Sequence, residues 1–292
     1  MMHAKDIYED IIIRDAKPED KPFVLEFTEK TWEWGDYIKY VWDRWMRDPN
    51  GRLLVAECNG KPVGIMHIQF LPDESAWLEG LRVHPEYRRR GIAWRLNQYA
   101  FRYIKSRGVN RVRVAIVEWN TPSLNLARKL GFYILDKWLS FWLRFKDIPE
   151  CGEAKCKEEV DPEKNWDKIS KSAVFLRSNG YIPVAWRWIQ VSKKILTELL
   201  IKEYIKCIIC NEDLIVIYRV EEDGSSIEIP LINMSHYEEL FSAIRYLRRT
   251  HRLKEENEIE ILFPSNYDPA KDLVNKIPDH EIMIIMEKHL NE

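Results

Sequence analysis

Several function classes require features that this chain lacks. Its 292 residues carry Lys+Arg 45 against Asp+Glu 47, a net charge of -2, so there is no cationic excess for a nucleic-acid backbone. No apolar run reaches the length of a membrane-spanning helix, and no membrane partner is expected. The opening MMHAKDIYED has no signal-peptide core, so a cytoplasmic location is expected. Cysteines are few. Cys58, Cys151, Cys156, Cys207 and Cys210 are odd in number and form no framework, which suits a reducing compartment. Cys207 and Cys210 bracket an apolar pair with no second pair at zinc-site spacing, so they read as buried or incidental thiols and no metal is expected.

Apolar and aromatic residues are plentiful, at 46% hydrophobic with 12 tryptophans, enough for two packed domains. Residues 11–14 read as a short strand, and helical spacing follows over 19–47. RLLVAEC (52–58), Asn59-Gly60 and PVGIMHIQF (62–70) read as a hairpin, and WLEGLRV (77–83) as the next strand. Ile92, Leu96, Ala100 and Ile104 recur at helical spacing after Gly91, with Gly108 as the stop. RVRVAIV (111–117) is a strand, Thr121 caps a helix ending at Gly131, and 132–145 is a long strand. A mixed α/β fold around one sheet follows for residues 1–147. Residues 148–165 read as a linker. Residues 166–292 form a second α/β domain whose elements from 207 onward repeat the order of the first half: a degenerate copy or an unrelated appendage.

The stretch VHPEYRRRGIAWRL (83–96) places Arg88, Arg89 and Arg90 where a helix begins. Helix mouths present unpaired N–H groups and a partial positive charge, so they attract anions, and guanidinium groups suit phosphate geometry. Gly91 and the small Ala93 let a ligand approach the backbone. The plainer reading is a capped helix with solvated arginines.

Arg88-x-x-Gly91-x-Ala93 resembles the Arg/Gln-x-x-Gly-x-Gly/Ala signature of the GNAT acyltransferase superfamily, and NTPSLNLARKLGF (120–132) resembles that family's second motif. The resemblance implies the acyl-CoA N-acyltransferase fold, with acetyl-CoA as the acyl donor. It gives the pyrophosphate to the backbone of Arg89, Arg90, Gly91, Ile92 and Ala93, with Arg88 beside them. It gives the pantetheine arm to strand residues Leu81, Arg82 and Val83 and to Asn120, which otherwise is a helix-entry residue. The second domain lacks this signature, and HYEELFSAI puts glutamates where the first half has arginines.

Acyl transfer to an amine needs a neutral nucleophile. Deprotonating a lysine-like amine at pH 7 costs about 4.6 kcal/mol, an α-amine only about 1 kcal/mol. Glu79 is the candidate general base; alternation puts it on one face with Trp77, Leu81 and Val83. Its alternative is a surface ion pair. Glu118 is the second candidate. Where the family often carries a tyrosine acid, this chain has Ala127, so Ser123 is the candidate to protonate or solvate the leaving sulfur, unless it merely bonds within its own helix turn.

The segment TWEWGDYIKYVWDRW (31–45) borders the acceptor side in the resembled fold. Trp34, Ile38, Val41 and Trp45 make a helical core stripe, while Trp32, Tyr37 and Trp42 fall off it. Trp32, Trp34 and Tyr37, with Trp77 and Glu118, are the candidate acceptor-site residues; Asp36 and Asp43 add negative charge for a cationic acceptor. The expected function is N-acetylation of a primary amine on a small molecule or protein. The alternative is a non-catalytic acyl-CoA-binding regulator. The run AWRWIQVSKK (185–194) mixes aromatics with cations, but the balanced charge argues against a nucleic-acid surface.

Overall fold

The computed structural model describes residues 11–31, 35–152, 154–211, 214–221 and 224–290. Trp32 and Trp34 lie outside them. In chain order the first elements are β1 (Ile11–Asp15), α1 (Lys21–Thr28), α2 (Ile38–Arg47), β2 (Gly51–Cys58), β3 (Lys61–Phe70), β4 (Ser75–Val83), α3 (Ile92–Ser106), β5 (Arg111–Val117), α4 (Thr121–Lys129) and β6 (Tyr133–Arg144). They are followed by β7 (Cys156–Glu158), α5 (Pro162–Ile169), α6 (Ala173–Arg177), β8 (Tyr181–Val184), β9 (Arg187–Gln190) and α7 (Lys193–Ile201). The last are β10 (Lys206–Cys210), β11 (Leu214–Val220), β12 (Ser226–Ile232), α8 (Tyr237–His251), β13 (Glu258–Pro264), α9 (Asp268–Val274) and β14 (His280–His289).

Two compact units result. The first comprises residues 1–114, 125–133 and 287–292; the second comprises 115–124 and 134–286. In the first, the strand order is β1-β2-β3-β4-β5-β14. Asn59 and Gly60 take the left-handed backbone (φ 51° and 77°) that a two-residue hairpin turn requires, and join β2 to β3. The β4–β5 pairing is parallel and runs only from Ser75–Arg111 to Trp77–Arg113. Beyond Trp77, β4 keeps its antiparallel partner β3 as far as Val83–Gly64. The opposite edge of β4 has no partner on β5 there, as expected for strands that diverge. On α3, Ile92, Leu96, Ala100 and Ile104 are buried, the period the sequence shows.

On α2, Ile38, Trp42 and Trp45 are buried with Val24, Phe27, Leu53, Val55 and Ile65 in one core cluster. Trp42, read as off the stripe, is therefore in the core: α2 is covered from two sides, by α1 and by β2, which widens its apolar face.

In the second unit, the strand order is β5-β14-β6-β13-β12-β11-β10-β7, with β8 and β9 forming a separate ribbon. Two expectations need correction. The linker contributes a strand, because β7 pairs antiparallel with β10. Its register sets Cys156 opposite Cys210, and a disulfide joins them across a sequence separation of 54. The thiol reading therefore fails for Cys210, because pairing across a strand edge is invisible to spacing along the chain, while Cys207 is buried and free as read. Cys58, Cys151 and Cys207 are free. Burial pushes the Cys207 thiol up to about 12, leaving it unreactive. The AWRW run forms the β8–β9 turn, with Trp188 fully buried.

Candidate functional site

At the end of β4 the chain passes through a short helical turn, Pro85–Tyr87, into Arg88, Arg89 and Arg90. Arg89 takes φ +63° and Gly91 φ +76°, two left-handed residues that turn successive N–H groups in one direction. A side chain with a Cβ holds that conformation at a cost of about 1 kcal/mol, so Arg89 stores strain at this spot. The Arg95 N–H is the first to find a helical carbonyl, that of Gly91 at 3.0 Å. The N–H groups of Ile92, Ala93 and Trp94 precede it, in the turn that a helix leaves without intrahelical acceptors. A Cβ built on Gly91 meets nothing within 4 Å, so the space above the mouth is open.

Among the described residues, none of the ion pairs involves Arg88, Arg89 or Arg90. The Arg88 Nε donates to the Val83 carbonyl at 3.3 Å, and the Arg90 guanidinium lies 4.9 Å from the centre of the Tyr87 ring. Among the described residues, no ion pair neutralises the charge at this mouth. Left-handed backbone, open space and uncompensated guanidinium groups fit a diphosphate.

Next to this mouth, β4 departs from plain alternation. Ile65 faces Arg82 and His67 faces Glu79, so β4 holds one more residue than β3 between the two pairs. The extra residue is accommodated at Gly80, φ +66°, where a Cβ would lie 2.5 Å from the Trp45 ring. Directly opposed side chains share a face, so Glu79 is on one face with Arg82, not with Leu81 and Val83 as alternation predicted. The bulge reverses the parity.

Glu79 Oε1 is 2.8 Å from His67 Nδ1; the histidine is fully buried and the carboxylate side chain is 13% exposed. The His67 ring stacks on Trp45 with centroids 4.5 Å apart and planes at 6°. Gly51 leaves the room this ring needs, since a Cβ there would sit 2.5 Å from His67 Nε2. Arg82 Nε donates to Asp36 Oδ2 at 2.7 Å, and Asp36 Oδ1 accepts the Ile38 N–H at 3.1 Å, capping α2. Asp36 is therefore neutralised and Asp43 pairs with Lys21, so neither supplies the free negative charge expected for a cationic acceptor.

Tyr37 has 43% of its surface exposed, but its hydroxyl end reaches the Gly80 N–H within this cluster. Burial, opposed by Arg82 and reinforced by Glu79 and Asp36, pushes its phenol up to about 12, so it remains a neutral donor at pH 7. Trp77, opposite Gln69, is buried. Glu118 is exposed and pairs with Lys137 at 3.0 Å. The Asn120 side-chain oxygen accepts the Ser123 N–H at 3.3 Å, so Asn120 rather than Thr121 caps α4. Ala127 is buried.

His67 and Trp45 were not singled out as site residues by sequence. The signal for His67 was a titratable residue inside the apolar strand GIMHIQF; its partner is visible only once the bulge sets the register.

The fold is a mixed α/β domain built on one sheet. Residues 20–132 match the Acetyltransferase (GNAT) family, and the N-terminal half is a GNAT-fold acetyltransferase domain. The chain is 28% identical over 151 residues to an uncharacterized N-acetyltransferase of Methanocaldococcus jannaschii, covering 45% of this chain and 64% of that protein. In fold, it is similar to a GCN5-related N-acetyltransferase from Sphaerobacter thermophilus, with TM-score 0.69, 12% identity and 97% of each chain covered. It is also similar to a tandem GNAT protein from the clavulanic acid biosynthesis pathway, with TM-score 0.62, 12% identity, and 97% and 99% of the two chains covered. The likeness of fold extends over both halves.

Proposed function

We propose that the protein is an acetyl-CoA-dependent N-acetyltransferase that passes the acetyl group directly to a primary amine of a small molecule or protein. The observation that carries this reading is the junction of the uncompensated helix mouth at Arg88–Ala93 with the unpaired edge of β4, on the strand that holds Glu79. Bound there, acetyl-CoA supplies an activated thioester. The N–H groups from Arg89 to Ala93 hold the diphosphate, and the arginines balance its charge. The backbone of Leu81 to Val83 pairs with the amides of the pantetheine arm as with another strand.

Glu79 takes the proton from the incoming ammonium, and His67 Nδ1 fixes the carboxylate in position. Trp45, stacked on His67, keeps water from that side of the pair. Arg82, on the same face, is paired with Asp36. Tyr37, neutral at pH 7, is a hydroxyl donor at the same cluster. The resemblance assigns Asn120 to the pantetheine arm and Ser123 to the sulfur, and Ser123→Ala tests the second assignment. Trp77, buried two residues before Glu79 on the same face, shapes that face.

The test is thiol release from acetyl-CoA in the presence of an amine panel. Turnover on any primary amine supports the reading. Tight binding without turnover on any of them favours the regulatory alternative, which the buried Ala127 in place of a tyrosine acid suggests.

A further inference from the structure

The second unit repeats the register shift of the first at the equivalent position. In β11 and β12, Ile217 faces Leu231 and Arg219 faces Glu228, with the register shift between them. In β3 and β4, Ile65 faces Arg82 and His67 faces Glu79, with the shift in the same place. Glu228 is therefore the counterpart of Glu79, and Arg219 of His67. Three otherwise unexplained features meet at this carboxylate.

The first is a second buried carboxylate. Glu228 faces Glu260 across the parallel β12–β13 pair, and both are 4% exposed. Arg219 reaches Glu228 at 3.3 Å and also binds Glu221; Ser140 Oγ donates to Glu260 at 2.8 Å. The other Glu228 oxygen, Oε1, is buried and has no hydrogen-bond partner among the described residues. Such a pair calls for donors beyond one shared arginine.

The second is strain. The β8–β9 turn is Ala185-Trp186, both left-handed (φ 49° and 63°), in a two-residue hairpin that favours Asn-Gly. Residues with a Cβ adopt that conformation only at a cost. The third is what the strained turn does. The Ala185 N–H donates to Glu228 Oε2 at 3.0 Å, and the Trp186 side chain hydrogen-bonds to Glu260. Trp186 also stacks on Trp142, centroids 6.0 Å apart, and Trp142 stands directly opposite Glu260 on β6.

Two carboxylates flanked by two indoles make the chemistry that recognises an ammonium group: N–H donors to the oxygens, cation to the ring faces. The turn meets both demands from within the chain. We infer that the second unit contains a closed counterpart of the amine-acceptor site, specific for primary ammonium, in which the Ala185–Trp186 turn stands in for the amine. The analogy with Glu79 rests on the proposed function, but the ammonium site does not need acyl transfer to be tested.

Trp186→Gly relaxes the left-handed turn and removes the indole that donates to Glu260. Ethylammonium chloride is then titrated against tetramethylammonium chloride at equal ionic strength, with melting temperature as the readout. At about ten times its Kd, ethylammonium should raise the Tm of the variant by about 4 °C, with no such rise from tetramethylammonium. Adding Glu228→Gln should abolish the difference. No ethylammonium-specific shift, or one that survives Glu228→Gln, overturns the inference. If Trp186→Gly does not fold, hydrogen exchange at the Ala185 amide of the unaltered protein decides. Ethylammonium competes for the carboxylates and should accelerate it, whereas exchange that ignores the amine contradicts the site. Either outcome is independent of whether the first unit transfers acetyl groups.

Discussion

Arg113 on β5 is fully buried and donates through Nε to Glu287 Oε2 at 2.7 Å, although the two residues are 174 positions apart in the chain. Arg113 Nη1 also binds Asp73 at 2.6 Å, and the Tyr133 hydroxyl donates to Glu287 Oε1 at 2.6 Å. The last strand of the chain thus completes the first unit, the one with the helix mouth and Glu79. Removing one partner of such a buried network leaves a charge uncompensated, which costs about 3–5 kcal/mol. Glu287→Ala should lower the stability of the first unit by about that amount in denaturant melts.

The same carboxylate sets an acid dependence. Burial opposes its ionisation, yet the Tyr133 hydroxyl and the Arg113 guanidinium outweigh it and hold Glu287 below its usual range. A depressed carboxylate stabilises the fold above its unfolded value near 4.5, and that contribution disappears as pH falls through the folded value. The unaltered protein should therefore lose stability in acid more steeply than Glu287→Gln. Parallel slopes between pH 5 and pH 3 would remove Glu287 from this role.

Glu228 works in the opposite direction. Burial, only partly offset by Arg219 and the Ala185 N–H, pushes it up to about 7. A raised carboxylate keeps its proton in the folded state, so stability falls as pH rises from about 4.5 to about 7 and is level above that. Glu228→Gln should flatten this decline, read as the pH dependence of Tm for the second unit.

The Cys156–Cys210 disulfide ties the edge strand β7 to β10 across a sequence separation of 54. Closing a loop of that size limits the unfolded chain by about 4 kcal/mol in the entropic account. Reduction with dithiothreitol, or Cys156→Ser, should lower the melting temperature of the second unit by roughly 10 °C.

Gly80 is the hinge on which the candidate chemistry turns. Gly80→Ala forces a Cβ to 2.5 Å from the Trp45 ring at a backbone angle of +66°. We expect a loss of about 2–3 kcal/mol in stability. The same change should displace Trp45 from His67 and reduce kcat/KM for acetyl transfer. Glu79→Gln, by contrast, should cut kcat/KM by about 10²–10⁴ while leaving acetyl-CoA affinity unchanged.

Most of the elements were legible in the sequence because each carries a local signal. Asn59-Gly60 marks its own turn, and Ile92, Leu96, Ala100 and Ile104 mark their helix face. The helix mouth was legible for the same reason: its arginines and Gly91 are neighbours in sequence. What could not be read was anything set by register. The bulge at Gly80 moved Arg82 into the place of Leu81 beside Glu79, and brought His67 opposite it. Cys156 meets Cys210, and Arg113 meets Glu287, only through strand pairing across long separations. Ala185-Trp186 has no turn signature at all, because tertiary contacts with Glu228 and Glu260, rather than local preference, hold it.

The most direct measurement is calorimetric titration of acetyl-CoA into the unaltered protein and into Gly91→Asp, which puts a carboxylate into the open space at the helix mouth. One molecule should bind per chain, with affinity falling at least about 100-fold in the variant, as expected when a like charge faces a diphosphate. Absence of binding, two molecules per chain, or equal affinity for both proteins would contradict the assignment of the diphosphate to Arg88–Ala93.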